Sequence, residues 1–131
     1  MKRVISCLVL LVASIGILFA QKGADIKFEK TSYDFGTFSE ETPVVTHTFT
    51  FTNVGDLPLV IHQATASCGC TVPEFTQEPI MPGKTGTIKV TYSGEGRYPG
   101  HFKKSITVRT NAKTETVRLF IEGNMTPKGQ K

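Results

Sequence analysis

No tryptophan occurs in this sequence, and only three cysteines do, one of which (Cys7) sits in the first apolar run. With no tryptophan and no widely separated pair of cysteines, the bridged core of an antibody domain is excluded. Past residue 20 no helical periodicity outlasts a single turn. Basic residues never cluster beyond Lys103-Lys104, so nucleic-acid binding has no electrostatic footprint to rest on. The glycines at 94, 96 and 100 lack phosphate-loop spacing and precede a strand-like segment, where no helix N-terminus would meet an anion. Glu40-Glu41 and Glu95 stand in polar connections and read as solvated charges, not as a general acid–base pair. Nothing else in the chain looks catalytic.

What the chain does have begins with Lys2 and Arg3, followed by an uncharged run from Val4 to Ala20. That is the pattern of a helical signal peptide over residues 1–20, with Ala20 suited to the position before the cut. Leu18 is bulky for its place two residues earlier, and the run approaches the roughly 17–25 residues that span a bilayer. An uncleaved anchor is therefore the rival to cleavage. Cys7 precedes most of the run and cannot be a lipid-accepting cysteine. Removing twenty of 131 residues leaves 111, one small domain with a single core. It also removes two of 15 basic residues against 11 acidic ones, so the formal charge falls from +4 to +2. Export, periplasmic or extracellular, places the remaining cysteines where disulfides are allowed, with no membrane association after cleavage.

Residues 21–25 read as a lead-in. Ile26-Lys27-Phe28-Glu29 alternates apolar with charged, the period-2 signal of a half-buried strand. Tyr33 and Phe35 repeat it after a break at Thr31-Ser32, Gly36 ends it, and Thr37 to Pro43 reads as an exposed connection. Val45, His47, Phe49 and Phe51 then alternate with Thr46, Thr48, Thr50 and Thr52, one face apolar and the other a threonine ladder. Asn53-Val54-Gly55-Asp56 reads as a turn with glycine at positive φ, after which Leu57, Leu59 and Ile61 face the core. Ala64, Ala66 and Cys68 fall on the opposite parity, which predicts a bulge or bend before the cysteines. Thr71 to Pro82 carries Pro73, Pro79 and Pro82 and reads as an irregular crossover. Alternation resumes at Ile88-Val90-Tyr92, at Phe102-Ile106-Val108 and at Val117-Leu119-Ile121. The tail, residues 124–131, is polar and reads as frayed; Asn124-Met125-Thr126 in it fits a glycosylation acceptor.

About seven short strands separated by turns predict an all-β, two-sheet sandwich over residues 26–123. Its expected core is Phe28, Phe35, Phe49, Phe51, Leu59, Ile61, Ile88, Val90, Ile106, Val108, Val117, Leu119 and Ile121. At roughly 1.5–3 kcal/mol per buried side chain, such a core needs no disulfide.

Tyr33-Asp34-Phe35-Gly36, the run from Phe49 through Asn53-Val54-Gly55-Asp56 to Leu59, Ser67-Cys68-Gly69-Cys70-Thr71 and Pro82-Gly83-Lys84 together carry a resemblance. Their order and spacing resemble the bacterial domain-of-unknown-function family fifteen seventy-three, over nearly all of residues 26–123. That family is similar to the immunoglobulin-like modules of Hydin, major sperm protein and pilus-chaperone type. The resemblance implies an exported immunoglobulin-like sandwich used for protein contacts, and it supplies no biochemical activity.

Cys68 and Cys70 admit three readings. A bridge between them closes a loop worth only roughly 1.5 kcal/mol of chain entropy. In an extended strand their Cα atoms would lie about 6.6 Å apart, near the limit for a disulfide. As a staple the pair is poor; as a redox couple it is more reasonable, with Gly69 easing a tight fold. It lacks the two-residue spacing and helix N-terminus of thioredoxin-like sites. Alternatively, two thiolates on one side of a strand suit Cu(I) or half a zinc site. His62, about 20 Å upstream along a continuous strand, is a poor third ligand, whereas sandwich topology brings His101, and less directly His47, to the same pole. His101 is the expected nearest histidine. The third reading is structural, with cysteine packing as a small apolar residue.

Two functions follow as expectations. One is a non-enzymatic exported module that binds another extracytoplasmic protein by its edges or end loops. The other is a copper- or zinc-binding or thiol-exchanging protein acting through Cys68 and Cys70. Oligomeric state is not legible in the sequence.

Overall fold

Residues 23–129 are described by a computed structural model; the leader read at residues 1–20 lies outside the described residues. Eight strands follow in order: β1 (Ile26–Phe28), β2 (Ser32–Ser39), β3 (Val44–Asn53), β4 (Ile61–Ala66), β5 (Thr71–Phe75), β6 (Thr85–Ser93), β7 (Gly100–Thr110) and β8 (Thr116–Thr126). They form two four-stranded sheets, ordered β1-β3-β6-β5 and β2-β8-β7-β4. Among the described residues there is no helix long and apolar enough to cross a membrane.

Alternation explains the layering. In the β3–β6 ladder Phe49 pairs with Ile88 and His47 with Val90, while Thr46 pairs with Thr91 and Thr50 with Thr87 on the outer face. The hydroxyls of Thr46 and Thr91 lie 3.3 Å apart there. Ten of the thirteen expected core residues are buried, from Phe49 and Phe51 to Leu119 and Ile121. Phe28, Phe35 and Val117 are only partly buried against that core, and Leu57, expected inside, is 50% exposed. Ile80, Tyr92, Phe102 and Met125 complete the interior.

The eighth strand, beyond the expected seven, is β5, and the first two segments lie in different sheets. β1 pairs antiparallel with β3, and β2 then pairs parallel with β8. Gly36 does not end β2. At φ +72° it forms a bulge between Asp34 and Thr37, its N–H bonded to the Asp34 carboxylate at 2.7 Å. The bulge flips the parity, so Phe38 turns inward against Phe102 at 5.9 Å. Thr71–Phe75, expected as irregular crossover, is an edge strand. Cys70 and Thr76 bond to Ser93 and Thr87 of β6, and alternation then turns the Pro73 nitrogen outward, where its missing N–H breaks no ladder bond. β8 runs on to Thr126 with Met125 buried, so the frayed tail begins later than residue 124. The expected parity change after Ile61 is present as a register shift between Ile61 and Gln63.

The end of the sandwich where β3 terminates is organised by Asn53, which is fully buried. Its amide nitrogen donates to the carbonyls of Leu57 (2.7 Å) and Ile80 (2.9 Å). Its amide oxygen accepts from Gly55 (2.9 Å) and Asp25 (3.4 Å). The Asn53 main chain bonds to Lys84 and Gly83. One side chain thus joins the lead-in, the β3–β4 turn and the β5–β6 turn. Gly55 is required here by close approach, not by the positive φ expected of it: an added Cβ would fall 2.2 Å from the Gly23 carbonyl oxygen. Replacing Asn53 with alanine removes four hydrogen bonds at a fully buried position and leaves the Leu57 carbonyl and the Gly55 and Asp25 N–H groups without that partner, so Asn53→Ala should cost about 3 kcal/mol in urea unfolding.

Candidate functional site

The opposite end carries the cysteines. After β4, Ser67 is tied to β7 by its N–H on the Ser105 carbonyl (2.9 Å) and its hydroxyl on the Ser105 N–H (3.1 Å). The Thr71 N–H then bonds back to the Cys68 carbonyl at 3.2 Å, closing a tight turn over Cys68-Gly69-Cys70-Thr71. The two cysteines are therefore in the turn that passes from one sheet to the other, not on an extended strand. The turn draws their Cα atoms to 5.2 Å, and the sulfurs are joined in a disulfide. Gly69 has no positive φ, and a Cβ there would meet nothing within 4 Å. Neither a positive φ nor crowding by residues beyond its two neighbours requires glycine at that position.

The two sulfurs have different surroundings. Cys70 packs partly buried against the core, with its carbonyl fixed by the Ser93 N–H at 2.9 Å. The Cys68 sulfur accepts from the Cys70 N–H at 3.1 Å and from the Arg97 guanidinium, whose Nη2 is 2.9 Å away. Arg97 is delivered by the β6–β7 loop. Gly94, buried against Met125, roots that loop by bonding to the Pro43 carbonyl, and the Arg97 N–H bonds to the Gly94 carbonyl at 3.0 Å. Tyr98 follows, 98% exposed, and Val44 and Val72 at the same end are each 55% exposed. Beneath them Tyr92 stacks on Phe102 at 3.8 Å.

Two of the three histidines make contacts away from the cysteines. His101 is exposed and lies 3.1 Å from the Glu122 carboxylate. Among the described residues no three His, Cys, Asp or Glu side chains gather as a metal site, so Cys68, Cys70 and His101 are not brought together as ligands. Sulfurs bonded to each other also offer no thiolate to a soft metal. His62 is exposed on β4. His47 sits where the chain changes sheets, stacked on Tyr33 at 3.7 Å and edge-on to Phe49. It lines a cleft of about 230 Å³ with Glu29, Lys30 and Thr48. Burial, and then the Lys30 charge, hold its pKa below the usual 6.5. Arg97 and Tyr98 escaped the sequence reading. Lone residues in a glycine-rich loop carry no periodicity, and the Arg97–Cys68 contact spans 29 positions.

The family described as protein of unknown function (DUF1573) matches residues 26–125. No curated protein matches the sequence. Among solved structures, the fold is similar to a protein of unknown function from Porphyromonas gingivalis W83, with TM-score 0.68 and 17% identity over 83% of this chain and 50% of that one. The chain thus spans half the length of that protein. PapD-like domain 7 of human CEP192 is similar at TM-score 0.65 and 10% identity, over 84% of this chain and 92% of the other. The periplasmic chaperone SfaE is similar at TM-score 0.54 and 15% identity, over 79% and 58%. These likenesses identify the fold as an immunoglobulin-like, PapD-like sandwich.

Because the His47 pKa is depressed in the folded state, the unfolded chain binds more protons below about pH 6.5. Its contribution to stability should be complete above that value and be lost as pH falls towards the folded pKa. Thermal unfolding at pH 7.5 and 5.5 should show a smaller pH difference in His47→Gln than in the parent.

Proposed function

The chain belongs to the DUF1573 family, and from that premise we propose that it is an exported, non-enzymatic module that engages another extracytoplasmic protein through the end bearing Cys68, Arg97 and Tyr98. The observation that carries this reading is Tyr98, 98% exposed on a loop whose root is fixed. A side chain so exposed contributes almost nothing to folding, while tyrosine and arginine are the residue types that dominate binding hot spots. Val44 and Val72 add exposed apolar surface at the same end of the sandwich.

The edges argue for the end loops as the docking element. β1 has three residues, β2 and β4 carry register shifts, and β5 holds Pro73, all devices that blunt strand addition. Three acidic groups serve structural contacts: Glu40 with the Lys128 N–H, Asp56 with the Gly23 N–H, and Glu122 with His101. The export pattern at the N-terminus and the likeness in fold to a periplasmic chaperone support an extracytoplasmic setting.

Tyr98→Ala separates binding from folding. The mature domain and its Tyr98→Ala variant, immobilised and exposed to envelope extract of the source cell, should unfold at the same temperature. The parent should retain at least one protein about tenfold better, a loss of roughly 1.4 kcal/mol on truncation. Identical retained sets would overturn the reading.

A further inference from the structure

We propose that Cys68–Cys70 is a thiol-exchange site that takes two electrons from a protein dithiol, with Cys68 as the leaving thiolate held by Arg97. The proposal rests on the reading of this end as the docking end. It deepens that reading by naming what the docked protein brings.

Three observations carry it. The corner is already fixed without the bridge, by the bonds of Ser67 to Ser105, Thr71 to Cys68 and Ser93 to Cys70. A bridge between residues two apart removes little chain entropy, so its value as a staple is small. The surroundings of the two sulfurs are also unequal: only the Cys68 sulfur receives the Arg97 guanidinium, at 2.9 Å, together with the Cys70 N–H at 3.1 Å. Two donors aimed at one sulfur stabilise the thiolate that appears there on reduction. A thiol next to a cation has a lowered pKa, leaves faster from a disulfide and makes that disulfide more oxidising. Finally, a side chain at position 69 would meet no atom beyond the two flanking cysteines within 4 Å, so the turn is open to an approaching partner at that point.

The exchange balances as follows. A thiolate of the partner protein attacks the Cys70 sulfur and forms a mixed disulfide as the Cys68–Cys70 bond breaks. The electron pair of that bond goes to the Cys68 sulfur, which stays a thiolate against Arg97. The partner's second thiolate attacks the partner sulfur of the mixed disulfide, releasing Cys70, which takes up a proton. The partner loses two electrons and two protons and gains a disulfide. The cysteine pair gains the two electrons and one proton, and the other proton passes to solvent. The exchange is stoichiometric, and the protein leaves it as a dithiol.

The test is a redox titration of the purified mature protein against reduced and oxidised glutathione, read by the mass added on alkylation. Glutathione needs no docking surface, so failure here is separable from failure of the protein-binding reading, which Tyr98→Ala tests alone. The expected result is a pair that purifies oxidised and whose equilibrium constant for reduction falls about tenfold in Arg97→Gln, the effect of one unit in thiol pKa, with Arg97→Lys in between. In Cys70→Ser, the lone Cys68 should be alkylated with an apparent pKa below the usual value of about 8.5, rising when Arg97→Gln is added. An unchanged constant in Arg97→Gln would overturn the proposal. So would a pair that purifies reduced and loaded with copper or zinc.

Discussion

Asn53 is a neutral amide with no exposure to water, and both its donors and its acceptor are engaged by backbone groups from three separate segments. A buried polar group satisfied in this way does not merely avoid a penalty; it fixes which loops may meet. The lead-in, the β3–β4 turn and the β5–β6 turn have one mutual arrangement that serves it. Gly55 allows that arrangement through backbone contact too close for any side chain. From this sealed end the ten residues of β3 run the length of the sandwich to Val44, which pairs with Ser93 beside the cysteine turn. Because the first end and the apolar interior hold the sheets, the second end is free to carry exposed side chains.

That division explains why the two ends differ in composition. At the sealed end, Asn53 and its neighbours answer each other. At the open end, Arg97 points at a sulfur, Tyr98 at water, and Gly69 at empty space. None of the three is accounted for by folding. On the proposed reading each serves contact with a molecule outside the chain, so docking and thiol exchange converge on the same few residues.

Much of the sandwich was legible because burial on one face imposes a period of two, and β3, β6, β7 and β8 obey it almost without interruption. The reading failed where a single residue resets the period. Gly36 looks like a stop in the sequence, yet as a bulge it lets β2 continue to Phe38 on a new parity. Pro73 looks like a break, but on an edge strand its nitrogen points away from the ladder. Asn53 looked like an ordinary turn residue because turn and buried hub use the same side chain; the distinction lies in partners up to 28 positions away. The cysteine pair was legible as chemistry, but its polarity was not. Arg97 approaches Cys68 only because β6 ends and β7 begins near the pole where β4 turns into β5, a fact of topology that local pattern does not carry.

The account holds that the sheets stand on their apolar interior and the Asn53 end, leaving the sulfur bridge free to open. Urea unfolding of the protein from residue 21 onward, compared with and without a strong thiol reductant, measures this directly. The account predicts cooperative transitions in both conditions, with stabilities differing by no more than the roughly 1.5 kcal/mol of a short-loop bridge. Loss of the cooperative transition on reduction, or a difference of about 3 kcal/mol or more, would contradict it.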